Sequence, residues 1–151
     1  MKTLIIGGVA GGASCAARLR RLDEKAEIVI LERGEFISFA NCGLPYYIGG
    51  EITEKSNLTL QTPESFKARF NIEVRTFSEA VAIDTENKIV TVKDLKTGEE
   101  YAERYDSLVL SPGASPIRPR IDGIGSDRVF TLRNIPDTMK IKQYIEKNHP
   151  K

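Results

Sequence analysis

The sequence predicts an α/β fold in which a doubly wound parallel sheet is combined with a β-meander. Three observations predict it: two apolar strands flank a helical segment near the N-terminus, three β-like segments separated by turn residues follow, and a further apolar strand comes after them. The chain has 151 residues, which is the size of one ordinary domain that can bury a core.

The first elements form a strand, helix and strand in succession. The run "TLIIGG" is apolar and ends in glycine, as is typical of a buried parallel strand. In "ASCAARLRRLDE" the residues Cys15, Leu19 and Leu22 recur at i, i+4 and i+7, so we expect them to face inward. A second apolar strand, Glu27 to Leu31, ends at the acidic residue Glu32. Together these segments predict a βαβ unit.

Polar residues repeat along the same helix one position earlier. Ser14, Arg18 and Arg21 are spaced at i, i+4 and i+7. Because successive residues of a helix differ by about 100°, these three share a face next to the apolar one.

The remaining elements follow from turn and capping signals. Thr62 is a plausible N-cap with Pro63 at the first helical position, which predicts a helix over "TPESFKARF". A second helix is expected to start near Pro136 and to end at Pro150, and Leu108 to Leu110 is predicted to be a buried strand. The predicted meander consists of "EAVAID", "KIVTVKDL" and "EEYAERY".

The turn after the first strand has the composition of a phosphate-binding loop. Gly7 and Gly12 fit the pattern GxGxxG, although Val9 stands at the position of the middle glycine. Glu32, twenty-five residues after Gly7, is placed to accept hydrogen bonds from ribose hydroxyls. The βαβ context and the acid favour dinucleotide binding. The alternatives are a glycine turn that binds nothing and a solvated charge at the end of a strand.

The segment "SFANCGLPYYIGG" places Cys42 where a short helix could start. A helix N-terminus favours the thiolate, which is the reactive form of cysteine. A buried structural cysteine is an equally good interpretation of these residues alone. We interpret Cys15 and the aromatic residues near Cys42 as packing residues. These aromatic residues are Phe36, Phe39, Tyr46 and Tyr47.

Composition excludes several classes of protein. Twenty-two basic and twenty-one acidic residues give a net charge of +1, which argues against a nucleic-acid surface. Two cysteines and one histidine are too few for a tetrahedral metal site. The two cysteines are not spaced as a CxxC pair and are too few for a disulfide-stapled secreted domain, which favours a reducing compartment.

The N-terminal residues imitate a signal peptide, because a lysine is followed by apolar and small residues. Four glycines interrupt this stretch, and a charged helical pattern follows at once. No run reaches the length of about eighteen apolar residues that a membrane span needs. We therefore expect a cytoplasmic protein that uses no membrane.

Five segments together resemble the N-terminal part of the single-cysteine FAD-dependent pyridine nucleotide-disulfide oxidoreductases, most closely the coenzyme A disulfide reductase and NADH-dependent persulfide reductase branches. They cover essentially the whole chain: "GGVAGGASCAARLRRLDE", "ILERG", "SFANCGLPYYIGG", "YDSLVLSPGASP" and "FTLRNIPDT". The resemblance implies a Rossmann-like FAD-binding domain and an oxidoreductase that reduces a low-molecular-weight disulfide or persulfide with NAD(P)H.

The resemblance also implies roles for individual residues, with Cys42 as the redox nucleophile. The glycine turn would hold the FAD pyrophosphate, Glu32 the ribose, and Arg33 and Val81 the adenine end. The implied FAD residues are Gly7, Gly8, Val9, Ala10, Gly11, Gly12, Glu32, Arg33, Val81, Ser111, Pro112, Gly113 and Arg133. The implied residues for a coenzyme A type of substrate are Ser14, Arg18, Arg21, Ser38 and Asn41.

Two departures from the family pattern bear on the substrate. The NADH oxidase and peroxidase branch has a histidine in its glycine turn, where this chain has Ala10, and tends to have serine at Asn41. We therefore place disulfide or persulfide reduction ahead of oxygen or peroxide reduction. The coenzyme A reductase branch can carry a lysine where Phe70 stands, which leaves coenzyme A itself less firmly implied.

In this family the FAD-binding domain is discontinuous, and an NAD(P)H-binding domain is inserted into it before an interface domain follows. We expect residues 1–151 to be the N-terminal portion of the FAD-binding domain, with those two further domains outside this chain and with a homodimer as the complete enzyme. We expect the chain alone to be inactive. The alternatives are an oxidase or peroxidase of the same family, a flavin electron-transfer module similar to ferredoxin reductases, and a nucleotide-binding domain without chemistry.

Overall fold

The computed structural model describes residues 1–150, which form two compact units. The first unit comprises Met1–Phe39 and Thr59–Gly113, and the second comprises Ala40–Leu58 and the chain from Ala114 onward. In chain order the elements are β1 (Lys2–Ile6), α1 (Ala10–Leu22), β2 (Glu27–Leu31), a 3₁₀ helix (Asn41–Gly43), α2 (Leu44–Gly49), a 3₁₀ helix (Lys55–Leu58), α3 (Pro63–Phe70), β3 (Glu73–Arg75), β4 (Ser78–Asp84), β5 (Ile89–Asp94), β6 (Glu100–Arg104), β7 (Ser107–Leu110) and α4 (Ile135–Asn148).

A four-stranded parallel sheet forms the centre of the first unit. Its strands lie in the order β3-β2-β1-β7, and Leu4 of β1 pairs with Val29 of β2 and with Leu108 of β7. The antiparallel meander follows the order β4-β5-β6. These elements confirm the predicted α/β class, the parallel sheet and the meander.

Alternation along the strands gives the sheet two apolar faces. On one face Ile5, Ile28 and Ile30 pack with Ala16 of α1 and Phe66 of α3. On the opposite face the following residues pack together: Leu4, Val29, Leu31, Val90 and Val92. The helices therefore cover one face of the sheet and the meander covers the other.

The inward face of α1 differs from the predicted one. Gly12, Ala13 and Ala16 are its buried residues, whereas Leu22 is 67% exposed. Cys15 is half-buried, and it is not among the residues of the buried cluster. The prediction that Leu22 faces inward was wrong because Leu22 lies about 180° around the helix from Ala13, so the face that buries Ala13 turns Leu22 to solvent.

The predicted start of α3 is confirmed. The backbone N–H of Ser65 donates to Oγ1 of Thr62, and the Ser65 hydroxyl accepts from the Thr62 N–H. This capping box satisfies two donors that a helix start leaves unpaired. Phe66, one residue further on, is buried in the core of the first unit.

Two strands show where sequence patterns were incomplete. β3 was not predicted, because its three residues are too few to show a periodic pattern. β7 was predicted to be buried, yet Leu110 is 60% exposed. β7 is the outer strand of the sheet in residues 1–150, so one of its edges is not covered by another strand of this chain.

A buried carboxylate joins β6 to the parallel sheet. Glu103 is 8% exposed and forms ion pairs with Lys2 and Arg75. Burial would raise the pKa of Glu103, but the hydrogen bonds from Lys2 and Arg75 outweigh it and hold that pKa below its usual value. The hydrogen bond to Glu103 likewise raises the pKa of Lys2.

The second unit contains α2 and α4, which pack against each other. Asn134 caps α4, since its side-chain oxygen accepts from the N–H of Asp137 at 2.9 Å. Tyr47 is buried, as predicted, but Tyr46 is 60% exposed, so its assignment as a packing residue was wrong. No helix within residues 1–150 is long and apolar enough to cross a membrane.

Candidate cofactor and redox site

The turn between β1 and α1 requires glycine at two positions. Gly7 has a φ of +100°, and a Cβ added there would lie 2.0 Å from the Ser111 carbonyl oxygen. A Cβ on Gly12 would lie 1.8 Å from the carbonyl oxygen of Gly7. Val9 has a φ of −92°, so the middle position of the motif does not need glycine. The imperfect match to GxGxxG therefore leaves the turn intact.

The start of α1 is open to an anion. Val9 is the N-cap and makes no side-chain capping bond, and the first turn carries no acidic residue. Ala10 and Gly11 are exposed. The free N–H groups and the dipole of such a helix start favour a phosphate group.

Glu32 faces the same turn. One of its carboxylate oxygens accepts from the N–H of Gly8 at 2.8 Å, and the other accepts from the N–H of Gly34 at 2.7 Å. Its backbone is held as well, because the Glu32 N–H donates to the Arg75 carbonyl at 2.9 Å. A carboxylate has about four acceptor positions, so these two bonds leave room for ribose hydroxyls.

A second turn, Ser111 to Gly113, follows β7 and lies against the glycine turn. The Ser111 N–H donates to the Ile6 carbonyl at 2.8 Å, and Gly113 has a φ of +74°. The two turns leave strands β1 and β7, which are neighbours in a parallel sheet. They therefore meet at the carboxyl edge of the sheet, where open α/β sheets bind their ligands.

Arg33 and Val81 lie in the same unit as Glu32. The Arg33 guanidinium is 3.8 Å from the Glu79 carboxylate and is largely exposed. Val81 is exposed and sits at a bulge, since the pairing of β4 with β5 is interrupted between Ala80 and Ala82. A bulged residue leaves its backbone groups outside the ladder, which makes them available to a ligand.

Ser38 holds an unusual backbone conformation, with a φ of +46°. Its N–H donates to the Gly8 carbonyl at 3.0 Å, and its carbonyl accepts from the Leu60 N–H at 3.0 Å. Non-glycine residues in this region of φ are strained, and such strain often marks functional segments.

The arginines of α1 have different environments. Ser14, Arg18 and Arg21, which share one face of α1, are exposed. Within residues 1–150 no acidic side chain pairs with Arg18 or Arg21. The side chain of Arg20, which sequence reasoning did not single out, donates instead to backbone carbonyls, including that of Phe70 at 2.8 Å. Arg20 is thus a structural residue between two arginines that face solvent.

Cys42 and Asn41 belong to the second unit and open its first 3₁₀ helix. Cys42 is an exposed free thiol, so its interpretation as a buried structural cysteine was wrong. The side-chain oxygen of Asn41 is buried and accepts no hydrogen bond from any described residue. The exposed thiol and the unpaired buried oxygen therefore belong to consecutive residues at the start of this helix.

Arg133 lies in the same unit as Cys42. Its side-chain Nε donates to the Ala114 carbonyl at 2.8 Å, and its backbone N–H donates to Asp137 at 2.9 Å. These bonds hold the residue at the entrance to α4.

A comparison with known protein families assigns the chain to one of them. The sequence profile described as pyridine nucleotide-disulphide oxidoreductase matches residues 1–149. The chain belongs to this family. The shared fold accounts for the βαβ unit, the meander and the second glycine turn described above.

Individual members of the pyridine nucleotide-disulphide oxidoreductase family are also similar to this chain in sequence. A coenzyme A disulfide reductase of Staphylococcus haemolyticus strain JCSC1435 is 44% identical over 150 residues, which are 99% of this chain and 33% of that protein. The chain spans about a third of the length of such relatives.

Two solved structures have the same fold. Reduced Bacillus anthracis CoADR-RHD superposes with a TM-score of 0.96 at 58% identity, covering 99% of this chain and 27% of that one. A NAD-dependent persulfide reductase from A. fulgidus gives a TM-score of 0.92 at 38% identity, covering 98% of this chain and 28% of that one. The predicted resemblance to this family is therefore confirmed.

Proposed function

We propose that this chain forms the N-terminal portion of the FAD-binding domain of an NAD(P)H-dependent reductase for low-molecular-weight disulfides or persulfides. The observation that carries the proposal is the exposed thiol of Cys42, in a chain whose family is named for disulfide chemistry. The similar proteins named coenzyme A disulfide reductase and persulfide reductase support the substrate class.

The residues of the first unit fit FAD. Gly7 to Gly12 would hold the pyrophosphate at the open start of α1, where the N-cap Val9 makes no side-chain capping bond. Glu32 would accept from the ribose, and Arg33 and Val81 would meet the adenine end. Ser111, Pro112 and Gly113 would contact the flavin part of the cofactor from the second turn, and the resemblance to the family assigns Arg133 to FAD as well.

Cys42 would act as the nucleophile. Its thiolate attacks one sulfur of the substrate disulfide, which forms a mixed disulfide on Cys42 and releases one thiol. Two electrons and the accompanying proton then cleave the mixed disulfide, so that the second thiol leaves and the Cys42 thiolate returns. When bound, FAD would supply these electrons from NAD(P)H.

An anionic thiol such as coenzyme A suits the polar face of α1. Arg18 and Arg21 are exposed cations on that face, and Ser14 adds a hydroxyl. Arginine forms charge-assisted bonds with phosphate groups, which coenzyme A carries. Ser38 and Asn41 would bind the substrate closer to Cys42 along the chain.

The proposed enzyme needs more than this chain. We propose that an NAD(P)H-binding domain and a dimerisation domain accompany it and that the complete enzyme is a cytoplasmic homodimer. Residues 1–151 alone would then lack part of the flavin site and would be inactive.

The test is an anaerobic NADH titration of the natural full-length protein, followed by the absorbance of the flavin. Coenzyme A disulfide and coenzyme A persulfide are then added separately as oxidants, and oxygen is admitted to a third sample for comparison. We expect one of them to reoxidise the flavin in the parent protein and in a Cys15→Ser control. We expect Cys42→Ser to keep its flavin but to lose this reoxidation.

Two outcomes would overturn the proposal. Undiminished disulfide and persulfide reduction in Cys42→Ser would show that the thiol takes no part in the reaction. Reoxidation by oxygen alone, with Cys42→Ser unaffected, would favour an oxidase or an electron-transfer protein instead.

A further inference from the structure

A lysine of α4 anchors the short helix that follows Cys42. The Nζ of Lys142 lies 3.9 Å from the centroid of the Tyr47 ring and donates to the Tyr47 carbonyl at 3.2 Å. Tyr47 is 7% exposed, so the lysine covers a buried ring rather than a surface one. A cation over an aromatic face is attracted to the negative charge of the π-system.

The hydrogen bond from Lys142 reaches a backbone carbonyl near the C-terminal end of α2. The last carbonyls of a helix have no intrahelical donor, and a cation near them is favourable. The Gly50 N–H also donates to the Tyr47 carbonyl, but at 3.4 Å, which is long. Lys142 therefore supplies a second and shorter hydrogen bond to this carbonyl.

The other end of this segment is fixed by close packing. A Cβ added to Gly43 would lie 3.2 Å from a methyl group of Leu58 and 3.3 Å from one of Ile52. The Gly43 N–H donates to the Ala40 carbonyl at 3.0 Å. Cys42 thus lies next to a tightly packed residue at one end, and Lys142 holds the other end.

α2 depends on such anchors because it has only six residues. Helices of this length are unstable in water without tertiary contacts. If the end at Tyr47 is released, α2 can fray and the segment that carries Cys42 can change its orientation.

From these contacts we propose that Lys142 is a positioning residue for Cys42 and acts by fixing α2 through Tyr47. The proposal rests on the proposed function of Cys42 as the redox nucleophile. It concerns how the thiol is presented, since the hydrogen bond and the cation-π contact of Lys142 are both with Tyr47.

The test compares Lys142→Met with Lys142→Arg in the natural full-length protein. Methionine keeps much of the length but has neither the charge nor the donor, whereas arginine keeps both. Lys140→Met is the matched control, because Lys140 lies on the same helix and its Nζ is 5.9 Å from the Phe130 ring instead. Three rates are measured: flavin reduction by NADH, reoxidation by the disulfide or persulfide, and alkylation of Cys42 by iodoacetamide.

We expect Lys142→Met to slow reoxidation and to change the alkylation rate by roughly three- to tenfold, with flavin reduction unchanged. Lys142→Arg and Lys140→Met should match the parent. Hydrogen exchange over residues 41–50 should rise only in Lys142→Met. A purely structural role would instead lower flavin content and all three rates together.

The proposal is wrong if Lys142→Met matches the parent in both Cys42 rates while Cys42→Ser is inactive. If Cys42→Ser retains reductase activity, the proposed function fails instead. The two failures are therefore distinguished by the same set of variants.

Discussion

The carboxylate of Glu32 accepts a hydrogen bond at 2.8 Å from the backbone N–H of Gly8, and so links the end of β2 to the glycine turn. The same carboxylate accepts from Gly34, which fixes both of its oxygens. A carboxylate held in this way is preorganised for further hydrogen-bond donors. In the proposed FAD site this contact would connect the stability of the turn to the binding of a ribose.

Replacement of Glu32 by glutamine should weaken FAD binding in the natural protein. Gly8 and Gly34 donate to different carboxylate oxygens, so an amide would turn its NH₂ group towards one of these two donors. We expect the dissociation constant of FAD to rise roughly ten- to hundredfold, as measured by flavin fluorescence on titration of the apoprotein. Glu35→Gln, at an exposed position, is the control. Equal FAD affinities in Glu32→Gln and Glu35→Gln would show that Glu32 does not contribute to FAD binding.

Replacement of Gly12 by alanine should disrupt the glycine turn. The new Cβ would lie 1.8 Å from the Gly7 carbonyl oxygen, which forces α1 away from β1. We expect protein that is purified without flavin and melts at a lower temperature in circular dichroism. Gly125→Ala should behave like the parent, because no atom lies within 4 Å of a Cβ at that position. A Gly12→Ala protein with full flavin content would contradict the geometry.

Arg20 should contribute to stability more than its neighbours do. Its guanidinium donates to the carbonyls of Phe70 at 2.8 Å, Ala26 at 2.7 Å and Glu24 at 2.6 Å. Lysine cannot reach these acceptors together, because its ammonium is a single point. We expect Arg20→Lys to lower the free energy of unfolding by about 2 kcal/mol in urea. Arg21→Lys should leave the free energy of unfolding unchanged. An equal loss in both variants would show that Arg20 is no more important for stability than Arg21.

The ion pairs of Glu103 should make stability fall in acid. The pKa of Glu103 is lower in the folded state, so its contribution is present above the unfolded value, about 4.5, and is lost as the pH falls through the folded value. The pKa of Lys2 is raised, so its contribution is present below about 10.5 and is lost as the pH rises through its folded value.

Melting temperatures across the pH range test this behaviour. We expect Glu103→Gln to be less stable near pH 7 by about 2 kcal/mol and to show a shallower decline below pH 4.5. Glu100→Gln, on the same strand but exposed, serves as the control. Identical acid profiles for Glu103→Gln and the parent would show that other carboxylates govern acid unfolding.

The sequence predicted those features that depend on local patterns. The strands β1 and β2, the cap of α3 at Thr62 and the meander follow from apolar runs, capping residues and turn residues. β3 was not predicted because three residues are too few to show a period. It forms a strand because it pairs with β2. The inward face of α1 was misjudged because the face that buries Ala13 turns Leu22 to solvent.

The candidate site was predictable in its residue types but not in its contacts. Glycine spacing and the acid after β2 indicated a nucleotide turn, yet nothing local shows that Ser111 lies against Gly7. The role of Lys142 depends on a contact between residues 95 positions apart, so no local pattern indicates it. The bulge at Val81 likewise requires knowledge of strand register, which is set by pairing across the meander.

The contact between Gly7 and Ser111 also constrains the order of folding. β1 pairs with β7 as well as with β2, and the N–H of Lys2 bonds to Asp106 across 104 positions. During synthesis the glycine turn emerges early, but the turn that packs against it emerges only after the entire meander. Because contacts between distant residues form slowly, the glycine turn acquires its final shape late in folding. A nascent chain that ends before β7 would expose β1 as an unpaired edge, which is a site where chaperones or aggregation can act.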